Sequence, residues 1–424
     1  MPQSLTIVYY PKTINDRINL PLSKSLSNRL LMIYAFMSWP MDRLKLSQAD
    51  DTVLLKSLLS TIAKNEVDDF EEDPLQLNCK NAGTTLRFLS PYLSILTKEY
   101  MLTGSSRMQE RPIGPLVEAL KKLGADIRYA NKDGFPPVIV KPADITYRDI
   151  VMDASKSSQF ASAILLLLPL LSEESRLRFI GKISSRPYIE MTLDLMTYFG
   201  IKYSFDKLEL ILKGKYLLPK QEFIVEADWS SASYWYEVLS MIRKGELFIP
   251  NLKIESLQGD RILAEIYASL GVQTYQEKDG IRIKAEGEVS YNQNIDFTNY
   301  PDIALSVIAS CAALGVMGKF SGLESLNLKE SRRMDMLCSE LGKLGFDLRD
   351  NGFGEHVLIN PCRIENRSYD FSNIVIQTAG DHRMAMAFAP FAIIGKSICI
   401  SDANSVNKSY PMFWDELLKI AKVY

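Results

Sequence analysis

Two histidines in 424 residues, His356 and His382, are too few and too far apart to suggest a zinc site or a Ser-His-Asp triad. Five cysteines, at 79, 311, 338, 362 and 399, show no C-x-x-C spacing, and an odd, scattered set argues against a disulfide framework. A reducing cytoplasm is the expected compartment. Net charge is nearly absent: 49 basic against 51 acidic residues give −2, so no bulk field draws nucleic acid or an anionic membrane. The longest apolar run, residues 161–171, is interrupted by Pro169 and is too short to span a bilayer. No charged-then-apolar leader precedes the strand-like LTIVYY, and no Walker P-loop, Rossmann glycine fingerprint or metal-ligand cluster is found. Any anion site must therefore be built locally, and neither a metal nor a cofactor is expected. With 47% hydrophobic and 24% charged residues the chain reads as globular, and its length predicts two domains of about 200 residues.

What is present is a repeated alternation of two kinds of helix. An apolar helix opening on a polar, cationic turn, LPLSKSLSNR from Leu20, precedes an amphipathic one, DDTVLLKSLLSTI from Asp50. After an acidic loop, EVDDFEED, the pairing recurs with apolar starts at Asn81, Ser157, Ser230, Asp302 and Asp381, and amphipathic starts at Arg111, Arg186, Asp260, Arg332 and Tyr410. The middle four amphipathic segments end on Gly124, Gly200, Gly271 and Gly345, at intervals of 71 to 76 residues, where glycine suits a left-handed cap. Each is followed by a predicted hairpin, over 125–141, 201–213, 272–285 and 346–360. Pro112, Pro187 and Pro411 stand just inside amphipathic helices, the favoured first-turn position. Such periodicity predicts duplicated units of about 70 residues, three to a domain, with a break near the polar linker 213–231. Apolar-all-round helices belong inside and amphipathic ones over sheets.

Four apolar helices open with material suited to anions: Ser23-Lys24-Ser25, Asn81 to Thr84, Ser157-Ser158-Gln159, and Asp381-His382-Arg383. Ser, Asn and Asp there are also ordinary helix caps. Arg87, Arg111, Arg333 and Arg383 fall at or within first turns, where a cation opposes the helix dipole and an anionic ligand would repair the mismatch. The competing readings are that Arg87 pairs with a carboxylate and that Arg332 lies in water. Two acids stand among these groups, Asp302 at a helix start and Glu330 in LKESRR, each placed for a cap, an ion pair or proton transfer.

The ordered series LPLSKSLSNR, NAGTTLRFL, QERPIG, SSQFASA, EADWSSAS, QGD, KESRR and DHRMAMAFA resembles that of the enolpyruvylshikimate phosphate synthase family, over almost the whole chain. The resemblance implies an α/β (α+β) fold of two similar domains, each of three βαβαββ repeats with buried helices inside, facing each other across a cleft. Their expected bounds are 20–228, mainly for shikimate 3-phosphate, and 1–19 plus 229–424, with the catalytic acids and much of the phosphoenolpyruvate site. It implies transfer of the carboxyvinyl group of phosphoenolpyruvate to the 5-hydroxyl of shikimate 3-phosphate through a tetrahedral adduct that expels phosphate. The phosphoenolpyruvate positions fall on Lys24, Gly83, Arg111, Gln159, Arg333, Arg383 and Lys408. Those for shikimate 3-phosphate fall on Ser25, Arg29, Ser157, Ser158, Gln159, Ser185, Tyr188, Asp302 and Lys329. Asp302 would take the hydroxyl proton, Glu330 would exchange protons with the methylene carbon, and Lys24 would assist both. The partners expected are these two small molecules alone, with no nucleic acid or membrane, and a monomer.

The sequence departs from the family pattern in places. Leu22 replaces a small residue, Lys80 a Gly or Asp, Arg332 an Asp, and Ala379 and Gly380 a Tyr and Asn, while Ser325 stands where Asn is usual, with Asn327 nearby. None removes a proposed charged group. Two alternatives stay open: a related transferase acting on UDP-N-acetylglucosamine, which often carries a loop cysteine not found before RPIG here, and a catalytically impaired homologue that binds phosphate ligands.

Overall fold

All six apolar segments form helices in the computed structural model: Lys24–Phe36, Gly83–Leu93, Ser158–Leu171, Trp229–Ile242, Ala304–Leu314 and His382–Phe388. The structure describes residues 4–9, 14–67, 74–155, 157–352, 354–359 and 369–423; most of the acidic loop, Cys362, and residues 353 and 360 of the last hairpin lie outside them. The first three helices touch one another pairwise, and so do the last three. Each trio is the interior of one compact unit: a continuous unit, Lys24–Val225, and a discontinuous one, Met1–Ser23 with Glu226–Tyr424.

Among the described residues, five four-stranded sheets share one spatial strand order. Strand Leu75–Asn78 leads through helix Gly83–Leu93 to the parallel strand Tyr100–Thr103, which pairs antiparallel with Val138–Lys141, itself flanked by Asp126–Tyr129. The same order recurs over 150–213 and 292–359. Two further copies take a strand from the start of the chain: Ile14–Arg17 pairs parallel with Gly245–Pro250, and Ser4–Tyr9 lies between Ser397–Ser401 and Ala421–Val423. The first helix pair, Lys24–Phe36 and Asp50–Asn65, has no four-stranded sheet of its own among the described residues. Its following segment is the acidic run, which has no alternating strand pattern to offer.

Gly124, Gly200 and Gly345 follow their helices with φ of +105°, +94° and +84°. Gly271 differs: the helix stops at Ala268, and Gly271 (φ +84°) sits in strand Leu270–Glu277 where the pairing register shifts between Leu270 and Val272. It serves a bulge rather than a cap.

The two stretches that join the units are paired with each other. Leu22 and Ala227 form an antiparallel bridge, the Ser23 N–H donates to the Glu226 carbonyl at 2.8 Å, and the Asp228 N–H donates to the Pro21 carbonyl at 2.9 Å. This pairing ties residues 20–23 and 226–228 to the discontinuous unit, so the joints fall at 23/24 and 225/226. Among the described residues no helix is long and apolar enough to cross a membrane.

One buried group breaks the apolar rule. Glu237, midway along Trp229–Ile242, is 0% exposed, and neither carboxyl oxygen has a hydrogen-bond partner among the described residues. Burial pushes its carboxyl well above the ordinary range.

Candidate active site

The discontinuous unit gathers its charged motif residues around one guanidinium group. Arg333, the first residue of helix Arg333–Lys343, is 1% exposed. Its Nε donates to Asp381 Oδ2 at 2.8 Å, and its Nη2 to Asp381 Oδ1 at 3.2 Å and Glu330 Oε2 at 2.7 Å. Its Nη1 stands 3.6 Å from Asp302 Oδ1 and has no hydrogen-bond partner among the described residues. Arg383 Nη2 pairs with Asp302 Oδ2 at 2.8 Å, Lys329 Nζ lies 3.9 Å from Asp302 Oδ1, and Lys408 Nζ donates to Glu330 Oε1 at 3.0 Å. Four cations thus interleave with three acids, so the cluster can receive added anions.

Both proposed acids reach this cluster and remain partly accessible: the Asp302 side chain is 21% exposed and Glu330 is 11% exposed. Burial alone would raise the Asp302 carboxyl, but Arg383, Lys329 and Arg333 outweigh it and hold the group below the usual carboxylate range. Asp260, which the QGD motif contains, moves the other way: burial, then the nearby Asp302 charge, pushes it up to about 7 against the opposing hydrogen bond from Ser230 Oγ at 2.5 Å. Two neighbouring carboxyls are thereby driven to opposite protonation behaviour.

In the continuous unit the motif residues form two groups. Lys24 Nζ pairs with Asp51 Oδ2 at 3.0 Å, the side chains being 16% and 7% exposed. Arg87 Nη1 donates to the Gly83 carbonyl at 3.1 Å and to Gln159 Oε1 at 3.2 Å, its Nη2 to the Pro112 carbonyl at 3.0 Å, and its guanidinium lies over the Phe160 ring. Gln159 in turn donates to Thr84 Oγ1 at 3.0 Å, and Arg111 Nη1 to the Asn81 carbonyl at 3.3 Å. A Cβ on Gly83 would collide with both Arg87 and Arg111, coming within 2.8 Å of the Arg111 Cζ. Any side chain there must displace one or both guanidinium groups.

Arg29 points inward. It is 2% exposed, and its Nε, Nη1 and Nη2 donate to Thr192 Oγ1, the Ser25 carbonyl, Ser162 Oγ and the Tyr188 carbonyl at 2.7 to 3.2 Å. No carboxylate pairs with it among the described residues, and burial lowers its pKa to about 10, so it remains charged at neutral pH. Ser157 accepts from the Gln159 N–H at 3.3 Å as the cap of Ser158–Leu171, and Ser158 is buried. Ser185 holds a left-handed backbone (φ +57°) at the start of Arg186–Tyr198, and Tyr188 is 9% exposed. A non-glycine residue held there costs roughly 1–3 kcal/mol, a strain that clusters at functional sites.

The departures acquire physical readings. Lys80 and Ala379 also adopt positive φ, +49° and +47°, so the Gly usual at the first would relieve strain that Lys retains. Arg332 lies in water as an exposed pair with Asp335 at 2.5 Å. Asn327 is committed to helix Arg333–Lys343, accepting from the Met334 N–H at 2.9 Å and donating to Asp335 at 2.8 Å. At Asp381 the helix start is already filled by a carboxylate, which accepts from the Arg383 N–H at 3.0 Å, so this start is no open anion cradle.

A family model described as EPSP synthase (3-phosphoshikimate 1-carboxyvinyltransferase) matches residues 8–417. The chain belongs to the EPSP synthase family. A Bacteroides fragilis protein named 3-phosphoshikimate 1-carboxyvinyltransferase is 40% identical over 414 residues, 96% of each chain. An Aliivibrio fischeri protein of the same name is 33% identical over 439 residues, 99% of this chain and 100% of its own. A solved structure of EPSP synthase from Acinetobacter baumannii matches with a TM-score of 0.73 at 19% identity, over 100% of both chains, which shows the two-domain α/β fold of the family. Asp51 is not singled out by sequence, Asp260 enters only through the QGD motif, and Asp381 looks like an ordinary cap until its partners are known, whereas Arg87 already stands out as a cation in a helix's first turns.

Proposed function

We propose that this chain transfers the enolpyruvyl group of phosphoenolpyruvate to the 5-hydroxyl of shikimate 3-phosphate and releases phosphate, a step of aromatic amino-acid biosynthesis. The observation that carries the reading at the site is that Asp302 and Glu330, one acid for each proton movement, are bracketed by the same guanidinium of Arg333. In the addition, the 5-oxygen bonds to C2 of phosphoenolpyruvate as Asp302 takes its proton, and Glu330 gives a proton to C3, making a methyl group. In the elimination, Glu330 takes a proton back from that methyl, the C2–O bond to phosphate breaks, and the departing phosphate carries off the proton that Asp302 took from the hydroxyl, which restores both acids.

By the family resemblance the donor anion would take Lys24, Gly83, Arg111, Gln159, Arg333, Arg383 and Lys408. Shikimate 3-phosphate would take Ser25, Ser157, Ser158, Gln159, Ser185 and Tyr188, with Asp302 and Lys329. Arg29, whose donors are spent on Ser25, Tyr188 and their neighbours, would act as a buried charge beneath the phosphate and as a brace for its contacts. Lys24, paired with Asp51 in this structure, would assist both proton transfers. A cytoplasmic monomer with no nucleic-acid partner completes the reading.

Phosphate release from phosphoenolpyruvate should depend on shikimate 3-phosphate. Release without it, or with UDP-N-acetylglucosamine in its place, would sink this reading, and binding of both substrates without turnover would mark an impaired homologue.

Gly83→Ala should fold, since alanine suits a helix start at ordinary φ, but the displaced Arg111 should raise the KM for phosphoenolpyruvate about tenfold or more, a shift of about 1 Å being enough. Calorimetric titration should meanwhile show a smaller loss for shikimate 3-phosphate, felt through Gln159, which Arg87 holds; equal weakening of both ligands would contradict the local collision.

A further inference from the structure

Asp381 has no place among the residues that the family resemblance gives to either substrate, yet all its acceptor positions are engaged. It is 0% exposed, so substrate cannot touch it. Its Oδ1 accepts from Arg333 Nη2 at 3.2 Å and from the Arg383 backbone N–H at 3.0 Å, and its Oδ2 accepts from Arg333 Nε at 2.8 Å and Ser331 Oγ at 2.9 Å. His382 Nδ1 lies 3.8 Å from Oδ1. A carboxylate offers about four lone-pair sites, so none is left over.

This arrangement fixes two cations at once. The Nε and Nη2 edge of Arg333 is clamped on Asp381, with Nη2 shared with Glu330, which sets the rotation of the planar fork and leaves Nη1 presented toward Asp302. Arg383 is pinned through its backbone at the second residue of its helix, from which its side chain reaches Asp302 at 2.8 Å. The geometry points to Asp381 as the positioning residue of the donor site: one sealed carboxylate sets where the guanidinium groups of Arg333 and Arg383 stand, and so how the phosphate and carboxylate of phosphoenolpyruvate are held. Ser331 locks the carboxylate in turn. This inference rests on the enolpyruvyl-transfer reading.

A merely structural acid would alter stability and total activity without discriminating between substrates. Asp381→Asn keeps the shape and removes the charge. In the full chain it should raise the KM for phosphoenolpyruvate at least about tenfold, as expected for losing a bidentate charge-assisted pair that orients a binding group. The Kd of shikimate 3-phosphate, by calorimetry, should stay within about threefold. Ser331→Ala, which removes one contact and no charge, should raise the same KM by about two- to threefold. A phosphoenolpyruvate KM within twofold of wild type in folded Asp381→Asn, or equal weakening of both ligands, overturns the proposal. If Asp381→Asn does not fold, Ser331→Ala decides, and an unchanged KM there overturns it. Failure of the functional reading is separate: the wild-type chain would then show no release dependent on shikimate 3-phosphate.

Discussion

Asp302→Asn is expected to lower kcat by about 10²- to 10⁴-fold, the range for losing a positioned general base. The KM for phosphoenolpyruvate should stay level or fall, because removing an anion from among Arg383, Arg333 and Lys329 makes the donor pocket more positive. Rapid-quench turnover separates the two effects; a kcat within tenfold of wild type would refute the assigned role. The physical difficulty with Asp302 as a base is its environment. Burial raises its proton affinity, but the three cations more than reverse that, and a carboxylate held so low attracts a hydroxyl proton weakly. The substrates supply the remedy. Shikimate 3-phosphate and phosphoenolpyruvate together bring about five to six negative charges, and each anion that neutralises Arg333 or Arg383 weakens their hold on Asp302. Basicity should therefore rise on binding. The acidic limb of kcat, which reports the bound complex, should lie at higher pH than that of kcat/KM, which reports the free enzyme. The same depressed pKa stabilises the folded chain above the unfolded carboxylate value of about 3.9, a contribution lost as pH falls through the folded value.

Glu237→Gln is expected to stabilise the folded chain increasingly as pH rises. Both wild-type carboxyl oxygens are sealed without partners among the described residues, and the Glu237 charge is felt by the Tyr267 hydroxyl on helix Leu263–Ala268. Burial is what raises the carboxyl, so the folded state holds the proton more tightly than the unfolded one. A raised carboxyl pKa means that the folded state binds more protons than the unfolded one above the unfolded value. Wild-type stability then declines with pH until the folded value is passed, while glutamine carries no such dependence. Relative to the variant, the wild-type unfolding constant should rise about tenfold per pH unit through this window, beginning near pH 5. Denaturant titrations from pH 5 to 9 measure it. Parallel curves would show that Glu237 is ionised or paired in the folded state, and Glu237→Leu provides a second comparison free of an orphaned amide.

Much of this architecture was legible in sequence because the repeats announce themselves twice. Apolar helices with no polar face can lie only inside, and the hairpins at 125–141, 201–213, 272–285 and 346–360 carry both alternation and turn residues. The structure forms strands in all four. Less legible were features created by distant pairing. That Ser4–Tyr9 and Ile14–Arg17 would complete two different sheets depends on partners hundreds of residues away. At the site, charge and position suggested Asp302, Glu330, Arg333 and Arg383. Nothing local said that Asp381 would hold Arg333 or that Arg29 would turn inward, because both depend on how helix ends from separate repeats converge.

The borrowed strands also order the birth of the molecule. A ribosome delivers the chain from its N-terminus, so residues 4–9 and 14–17 emerge well before their partner strands at 245–250, 397–401 and 421–423. Lys24–Val225 is contiguous and has every strand of its own sheets at hand once residue 225 has left the tunnel. The nascent chain should thus carry a folded Lys24–Val225 unit while strands 4–9 and 14–17 keep open edges, exposed to wrong partners, until 245–250, 397–401 and 421–423 have emerged to pair with them.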